Sequence, residues 1–408
     1  MEDPQYWQAA VGPAWVQVDL DAIAENVRLL RGILGVDCRL LAVVKANGYG
    51  HGAVAVGATA LEAGAAGLGV STVAEGLALR TAGIRAPILV FTPPRGGELD
   101  AALEAGLVLT VASAEGAAAL GAAARRTGAA AAAHVKCDTG MGRYGFDPAA
   151  LAQSLPVLAA EAAAVRWEGI FTHFPRGADG PSTQRALGRF LAMVAQAEAG
   201  GVRFELRHAA ASAAALRVPE SRLDMVRIGT LLYGDGPAGL ERPAGLRRAF
   251  ALRVEAAQIR TLPRGATVGY GSEWRASRPT LAAVLPVGYA DGFDVTPAGP
   301  YRRLGVLLRA VARTVLRAAG LGGRLGAGLG EITWGGVSVP VLGRVGMQQV
   351  EVDCGRVPEA ALREPATVHA RATLVGAHLA RVYVRDGRPA QALTAVGPLG
   401  APALDRES

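Results

Sequence analysis

Between Arg39 and Gly229 short apolar runs alternate with stretches of helical period, and few folds accommodate that rhythm. Eight runs can be counted: Leu40 to Val44, Ala66 to Val70, Ile88 to Phe91, Leu107 to Val111, Ala132 to Lys136, Gly169 to His173, Phe204 to His208 and Met225 to Ile228. Candidate helices lie before and between them, at Leu20 to Leu34, Val54 to Ala63, Val73 to Ala82, Ser113 to Arg126 and Thr183 to Ala199. Repeated β/α units of this kind build a parallel sheet with helices outside it. Eight such strands predict an α/β fold, a (β/α)8 TIM barrel, which typically occupies roughly 250 residues. After about Gly245 the rhythm changes. Ala249 to Arg260, Thr280 to Val287, Val339 to Val345 and Val350 to Asp353 are short, β-branched and punctuated by Gly and Pro. Residues 12–245 are therefore assigned to the barrel and 246–408 to a smaller C-terminal β domain. Arg302 to Gly330 is rich in Ala, Gly, Leu and Arg; its glycines lack a following Lys-Ser/Thr phosphate signature, so it reads as an irregular insertion.

Composition narrows the function classes. The chain has 408 residues, 51% hydrophobic and 19% charged, which suits two globular domains and excludes disorder. No apolar run reaches membrane-span length, so no membrane partner is expected. The net charge of +7 comes mostly from isolated arginines, without the basic arm or interleaved aromatics that track nucleic acid. Cys38, Cys137 and Cys354 form no CxxC pair, which points to a reducing compartment. The first ten residues carry Glu2, Asp3 and a proline where a signal peptide carries basic then apolar residues, and the expected location is the cytoplasm.

A barrel collects its reactive groups at the C-terminal ends of its strands. Lys45 stands there, ending the run in AVVKANGYGHG, where a desolvated amine can form a Schiff base. The fifth strand opens into HVKCDTGMGRYGF, whose Lys136, Asp138 and Arg143 sit on a glycine-broken loop able to hold a guanidinium over an anion. His173 closes the sixth strand. Ser212 follows the seventh and Arg227, Gly229 and Thr230 end the eighth, where barrels bind phosphate through N–H groups and hydroxyls. A lysine at one strand end and a phosphate grip at others suggest pyridoxal 5'-phosphate, with Arg227 at the pyridine nitrogen. An arginine gives up no proton there, so the ring is a weak electron sink and returning a proton to the substrate is favoured. Racemisation needs a base on each face; Lys45 serves one and Tyr270, in ATVGYGSEW, is a candidate for the other.

These motifs resemble the alanine racemase family of fold-type III pyridoxal phosphate enzymes. WVQVDLDAIAENVRLLR, AVVKANGYGHGA, STVAEGLALRTAGIRAPILVF, VKCDTGMGRYGF, GIFTHF, ASAAALR and DMVRIGTLLYG stand in the family's order, followed by GATVGYGSEW, LPVGYADGF and VLGRVGMQQVEVD. The resemblance implies a homodimer that interconverts L- and D-alanine in active sites shared between subunits. It implies Lys45 as Schiff-base lysine and one base, and Tyr270 of the partner subunit as the other. Tyr49, Ser212, Gly229 and Thr230 would hold the phosphate, Arg227 the ring nitrogen, and His173 would pack near the ring. Arg143 would contact the cofactor phenolate and the substrate carboxylate, with Lys136 beneath it, a residue carbamylated in many family members. Met347 would offer a backbone contact to the carboxylate, and Tyr289 is similar to the family's entrance tyrosine.

The departures gather in the second domain. The family's CMDQ is Gly346-Met347-Gln348-Gln349, Asp294 and Val295 follow Phe293 where an arginine is usual, and the tyrosine that normally precedes RVYV is missing. In the barrel, Ala211 replaces the asparagine before Ser212. A racemase of another amino acid and a non-catalytic pyridoxal phosphate carrier are the alternatives; a carrier would not need GYGSEW. A decarboxylase of this barrel type would need a phosphate-binding glycine triplet, and a metal hydrolase an HxH pair; neither stands in the sequence.

Overall fold

The computed structural model describes residues 11–295, 331–394 and 397–398, apart from 238, 371, 373, 374 and 377. The predicted insertion from Arg302 to Gly330 lies outside the described residues. The chain forms two compact units, Asp19–Ala249 and the residues flanking it on both sides. β1 is Ala14–Asp19, and its neighbour in the second unit's sheet is β10, Phe250–Val254, antiparallel with Ala14 opposite Val254. The sequence-based boundary at residue 12 groups β1 with the barrel, whereas most of β1 clusters with the unit that holds β10; Ala14, Val16 and Val18 alternate as its buried residues, as a half-buried strand requires.

The Asp19–Ala249 unit is a parallel barrel. Its strands are β2 (Arg39–Val43), β3 (Gly67–Val70), β4 (Ile88–Val90), β5 (Val108–Val111), β6 (Ala131–Lys136), β7 (Val165–Phe171), β8 (Leu206–His208) and β9 (Met225–Ile228). They lie in the order β8-β7-β6-β5-β4-β3-β2-β9. The ring is completed where Asp224 donates to the carbonyl of Arg207 and Arg227 to that of Ala210, each at 3.1 Å. All eight sequence runs are strands, displaced at their ends by a few residues.

The helices are α1 (Leu20–Leu34), α2 (Ala53–Glu62), α3 (Val73–Thr81), α4 (Leu99–Glu104), α5 (Ala114–Thr127), α6 (Pro148–Glu161), α7 (Gly180–Ala199) and α8 (Ser212–Arg217). α1 shows why they form. Asp19 caps it by accepting the Ala22 N–H at 2.9 Å, and Leu20, Ile23, Val27, Leu30 and Leu34 recur every three to four residues on the buried face. Buried Asn26 then fixes the helix to the chain beyond β9, bonding the Leu232 carbonyl and both backbone groups of Arg247. Inside the barrel Leu41, Leu89, Val108 and Met225 from four strands pack with Phe91 and Ala132.

The other unit is mainly β among its described residues, with short 3-10 turns at Tyr270–Ser272, Tyr289–Asp291 and Glu359–Arg363. β10 pairs with β1 on one side and with Ala366–Val368 on the other. A second sheet joins β11 (Gln258–Leu262) to Thr280–Leu285 and Val350–Asp353. The run Ala249 to Arg260 is therefore two strands in two sheets, and Val339 to Val345 is likewise split at Pro340, which carries no N–H to continue a ladder. No helix of the described residues is long and apolar enough to cross a membrane.

Candidate functional site

At the C-terminal mouth of the barrel Lys45 directly follows Val44, whose N–H completes the β2 pairing to Gly69 at 2.9 Å. The chain then makes a left-handed turn, with φ of 52°, 52°, 62° and 53° at Ala46, Asn47, Gly48 and Tyr49. Three of these are not glycine, and each costs roughly 1 kcal/mol or more in that conformation. The turn is held by bonds from Gly48 N to Val44 O at 2.7 Å and from Gly52 N to Asn47 O at 2.9 Å, and by the Asn47 side chain, which accepts the N–H of Ala53 at 3.0 Å. It projects Tyr49 beside Tyr233, ring centroids 5.1 Å apart, and Tyr233 is anchored by its hydroxyl to the Val43 carbonyl at 2.9 Å.

Tyr49 reaches the end of β9. A Cβ on Gly229 would stand 2.7 Å from the Tyr49 hydroxyl, so only glycine permits this approach. The Gly229 N–H donates to Ser212 Oγ at 3.2 Å. The hydroxyls of Tyr49 and Ser212 thus meet at Gly229, the residue before Thr230. Burial pushes the Tyr49 phenol up, so it stays a neutral donor.

Arg227 is buried and makes its bonds without a carboxylate. Nη1 donates to His208 Nδ1 at 2.8 Å, and Nη2 to the carbonyls of Thr172 at 2.7 Å and Ala209 at 2.9 Å, with His173 Nδ1 at 3.3 Å. An arginine only donates, so His208 must accept at Nδ1 and carry its proton on Nε2. That proton goes to His134 Nδ1 at 2.8 Å. The three buried side chains form one directed chain, Arg227 to His208 to His134. Burial, aided by the Arg227 charge, pushes His134 and His173 down to about 3 and His208 well below its ordinary value, so all three imidazoles are neutral. Burial also lowers Arg227, which remains cationic because a guanidinium starts so high.

His134 and Lys136 lie two residues apart on β6 and so share a face. Lys136 is buried, donates to the Cys137 carbonyl at 2.5 Å and lies 5.4 Å from the Phe171 ring. Burial and then Arg227 push its amine down to about 8. Asp138 shapes the next loop by accepting the N–H groups of Gly140, Met141 and Gly142 at 2.8–2.9 Å. Burial opposes its ionisation, but these donors outweigh it and hold its pKa below the usual carboxylate value. The loop presents Arg143, exposed and stacked over Tyr144 at 5.3 Å. Burial foremost, then the Arg143 charge, lowers the Lys45 amine, while Glu75 opposes them. The charges of Arg227, Arg143, Lys136 and Lys45 all act on His173.

Tyr270, Tyr289 and Met347 belong to the other unit, where they are 81%, 50% and 59% exposed. Tyr270 is at the tip of a two-stranded ribbon, Thr267–Val268 with Trp274–Arg275, and Glu273 beside it pairs with Arg344. Tyr289 donates its N–H to the Gly346 carbonyl at 3.1 Å and Ala290 to that of Met347 at 3.0 Å. Asp291, buried, stabilises that turn by accepting the Gly288 N–H at 2.8 Å and pairing with His378 at 2.7 Å. The three residues therefore lie on neighbouring loops of one unit.

Sequence reasoning missed His134, His208 and Glu75. For His134 a signal existed, since period-two alternation in HVK puts it on the same face as Lys136. His208 has no such local signal; its partner comes from β9, the strand that closes the ring beside β8.

Comparison with known proteins places these features in a family. The model of the alanine racemase N-terminal domain matches residues 18–237, and that of the C-terminal domain residues 249–313. The chain is 37% identical over 367 residues to an alanine racemase of Desulfosudis oleivorans, covering 87% of each. It is 40% identical to one of Mycobacterium tuberculosis strain H37Rv, covering 85% of this chain and 83% of that one. Its fold is similar to the crystal structure of alanine racemase from Bacillus anthracis with bound L-Ala-P, at a TM-score of 0.79 and 28% identity over 94% of this chain and 98% of that one. Matched by a family model over half its length and by relatives across most of it, the chain belongs to the alanine racemase family.

Proposed function

We propose that this protein is a pyridoxal 5'-phosphate-dependent alanine racemase that interconverts L- and D-alanine by two-base proton transfer and serves D-alanine biosynthesis in the cytoplasm. The observation that carries this reading is Arg227: a buried cation whose partners are neutral imidazoles and carbonyls, in the same barrel mouth as an amine of lowered pKa. Such a site suits a group that brings a ring nitrogen to accept from the guanidinium and a phosphate for the Tyr49, Ser212, Gly229 and Thr230 cradle. The cradle's narrowness at Gly229, where a Cβ would meet the Tyr49 hydroxyl, also fits that group.

When bound, pyridoxal phosphate supplies an electron-withdrawing ring conjugated to the substrate amine, which acidifies the α-hydrogen. The protein does the rest. Lys45 would hold the cofactor, and its Nζ would take or give a proton on one face of the substrate. Burial and the Arg143 charge lower the basicity of that amine, which eases its giving up a proton. Arg227 would hold the ring nitrogen by a hydrogen bond without surrendering a proton, since a guanidinium only donates and stays charged. Tyr270 of the partner subunit moves a proton at its phenol oxygen on the opposite face, in a homodimer with shared sites. Arg143 orients the substrate carboxylate, Met347 of the partner subunit adds a backbone N–H, and Tyr289 of the partner subunit narrows the entrance. Lys136, an amine lowered to about 8, has a neutral fraction at physiological pH able to take up carbon dioxide. Carbamylated, it would give Arg143 an anionic partner. Tyr270→Phe tests the two-base assignment: proton exchange from L-alanine falls far more than cofactor binding, whereas wild-type activity would give that face to another group.

A further inference from the structure

Glu75 is committed in two directions. It is the third residue of α3, in the pattern Thr72-Val73-Ala74-Glu75, and forms a reciprocal cap: its N–H donates to Thr72 Oγ1 at 3.2 Å while its Oε2 accepts from the N–H groups of Ser71 at 2.7 Å and Thr72 at 3.3 Å. A capping box is complete with those bonds. Yet the other oxygen, Oε1, accepts the N–H of Ala46 at 2.6 Å, 29 residues away in the chain. Ala46 is the residue immediately after Lys45 and the first of the left-handed run.

We infer that Glu75 is a positioning residue for Lys45, one carboxylate tying the cap of α3 to the first peptide of the left-handed turn and so fixing where the lysine amine stands. Ala46, Asn47 and Tyr49 adopt a backbone conformation that L residues disfavour, so contacts outside the turn must select it. The bonds from Gly48 to Val44 and from Gly52 to Asn47 close the turn upon itself. The bond to Glu75 instead ties it to the loop after the neighbouring strand, β3, and is charge-assisted, which makes it short and strong. The charged groups acting on Lys45 are Arg143, from the loop after β6, and Glu75 itself; Lys45 in turn acts on His173, at the end of β7. Glu75 is the one whose charge favours the protonated amine. Its carboxylate therefore fixes where the turn after Lys45 stands and offsets part of the fall in basicity that burial and Arg143 cause. That this matters to catalysis rests on the reading of Lys45 as the cofactor-holding base.

The test separates the two ideas. Glu75→Gln keeps the shape but has one carbonyl oxygen, so an amide N–H2 must face either Ala46 or the helix cap. Thr72→Ala weakens the same cap and leaves the bond to Ala46. The full chain, freed of any bound aldehyde with hydroxylamine, is pulse-acylated with acetic anhydride across a pH series, and modification of Lys45 is counted by peptide mass spectrometry. The expected result is that E75Q moves the Lys45 profile to lower pH and changes its reactivity at least threefold, while T72A lowers thermal stability and leaves the profile where it was. An unmoved profile in E75Q, or an equal movement in T72A, overturns the positioning role. In parallel, pyridoxal phosphate attached to Lys45 is fixed with borohydride; half-saturation in E75Q is expected to weaken roughly tenfold, the scale of one hydrogen bond to a charged group. Wild-type protein with no cofactor on Lys45 would overturn the cofactor reading, leaving the acylation series to judge Glu75.

Discussion

His208 stands between a buried cation and a second buried imidazole, and two substitutions there separate its bonds. His208→Leu is close in volume and removes both: the acceptor for Arg227 Nη1 and the donor to His134 Nδ1, each at 2.8 Å. A bond to a charged group contributes about 1.5–3 kcal/mol and stranding a buried polar atom costs about 1–3 kcal/mol, so the leucine variant should lose roughly 4 kcal/mol. His208→Asn retains a carbonyl oxygen near the position of Nδ1, keeps Arg227 partnered and gives up only the bond to His134, with a small cavity. Its loss should be roughly 2 kcal/mol. Equilibrium urea unfolding followed by circular dichroism gives both numbers. The order wild type, Asn, Leu is expected, with a gap of at least about 1 kcal/mol between the variants. A leucine variant as stable as the asparagine one would refute the directed chain, since Arg227 would then not need its neutral acceptor.

Other consequences follow from the same geometry. The three imidazoles are kept neutral when folded but take up protons near pH 6.5 when unfolded, so the unfolded state binds more protons as pH falls. Their contribution is therefore fully present above about pH 6.5 and is lost toward pH 3, with a slope of up to about 4 kcal/mol per pH unit; urea titrations between pH 6.5 and 5 measure it, and His134→Gln should lower the slope by about a third. Gly229→Ala places a methyl 2.7 Å from the Tyr49 hydroxyl and should weaken pyridoxal phosphate binding roughly tenfold or more, read by fluorescence titration; unchanged affinity would remove the cradle from the account. Lys45→Ala should abolish covalent capture of the cofactor, and an unchanged cofactor spectrum would remove Lys45 from the argument. Carbon-13 NMR of protein equilibrated with labelled bicarbonate should show a carbamate resonance that Lys136→Met lacks.

Much of this was legible because it is local. The eight strand runs and α1 follow from periodicity and the Asp19 cap; strand-end position pointed to Lys45 and Arg227, and to His173 because it shares their end of the barrel. What escaped is non-local. β1 joins the C-terminal unit through a partner more than 200 residues away, although its burial alternates as strictly as any strand in the chain. His208 meets Arg227 only once the barrel's last strand returns beside β8, and no spacing in the sequence reports that closure. Glu75 was hidden differently: its spacing from Thr72 already accounts for it as a helix cap, and its second bond depends on the left-handed turn, which AVVKANGYGHG signals only through its glycines.

The central claim is racemisation of alanine at the barrel mouth. Purified protein supplied with pyridoxal phosphate should be incubated with L-alanine and, separately, with a panel of other L-amino acids, and the products resolved by chiral chromatography. D-alanine accumulating above every other D-amino acid is the predicted result; a different preferred product, or none while cofactor is bound, would contradict it.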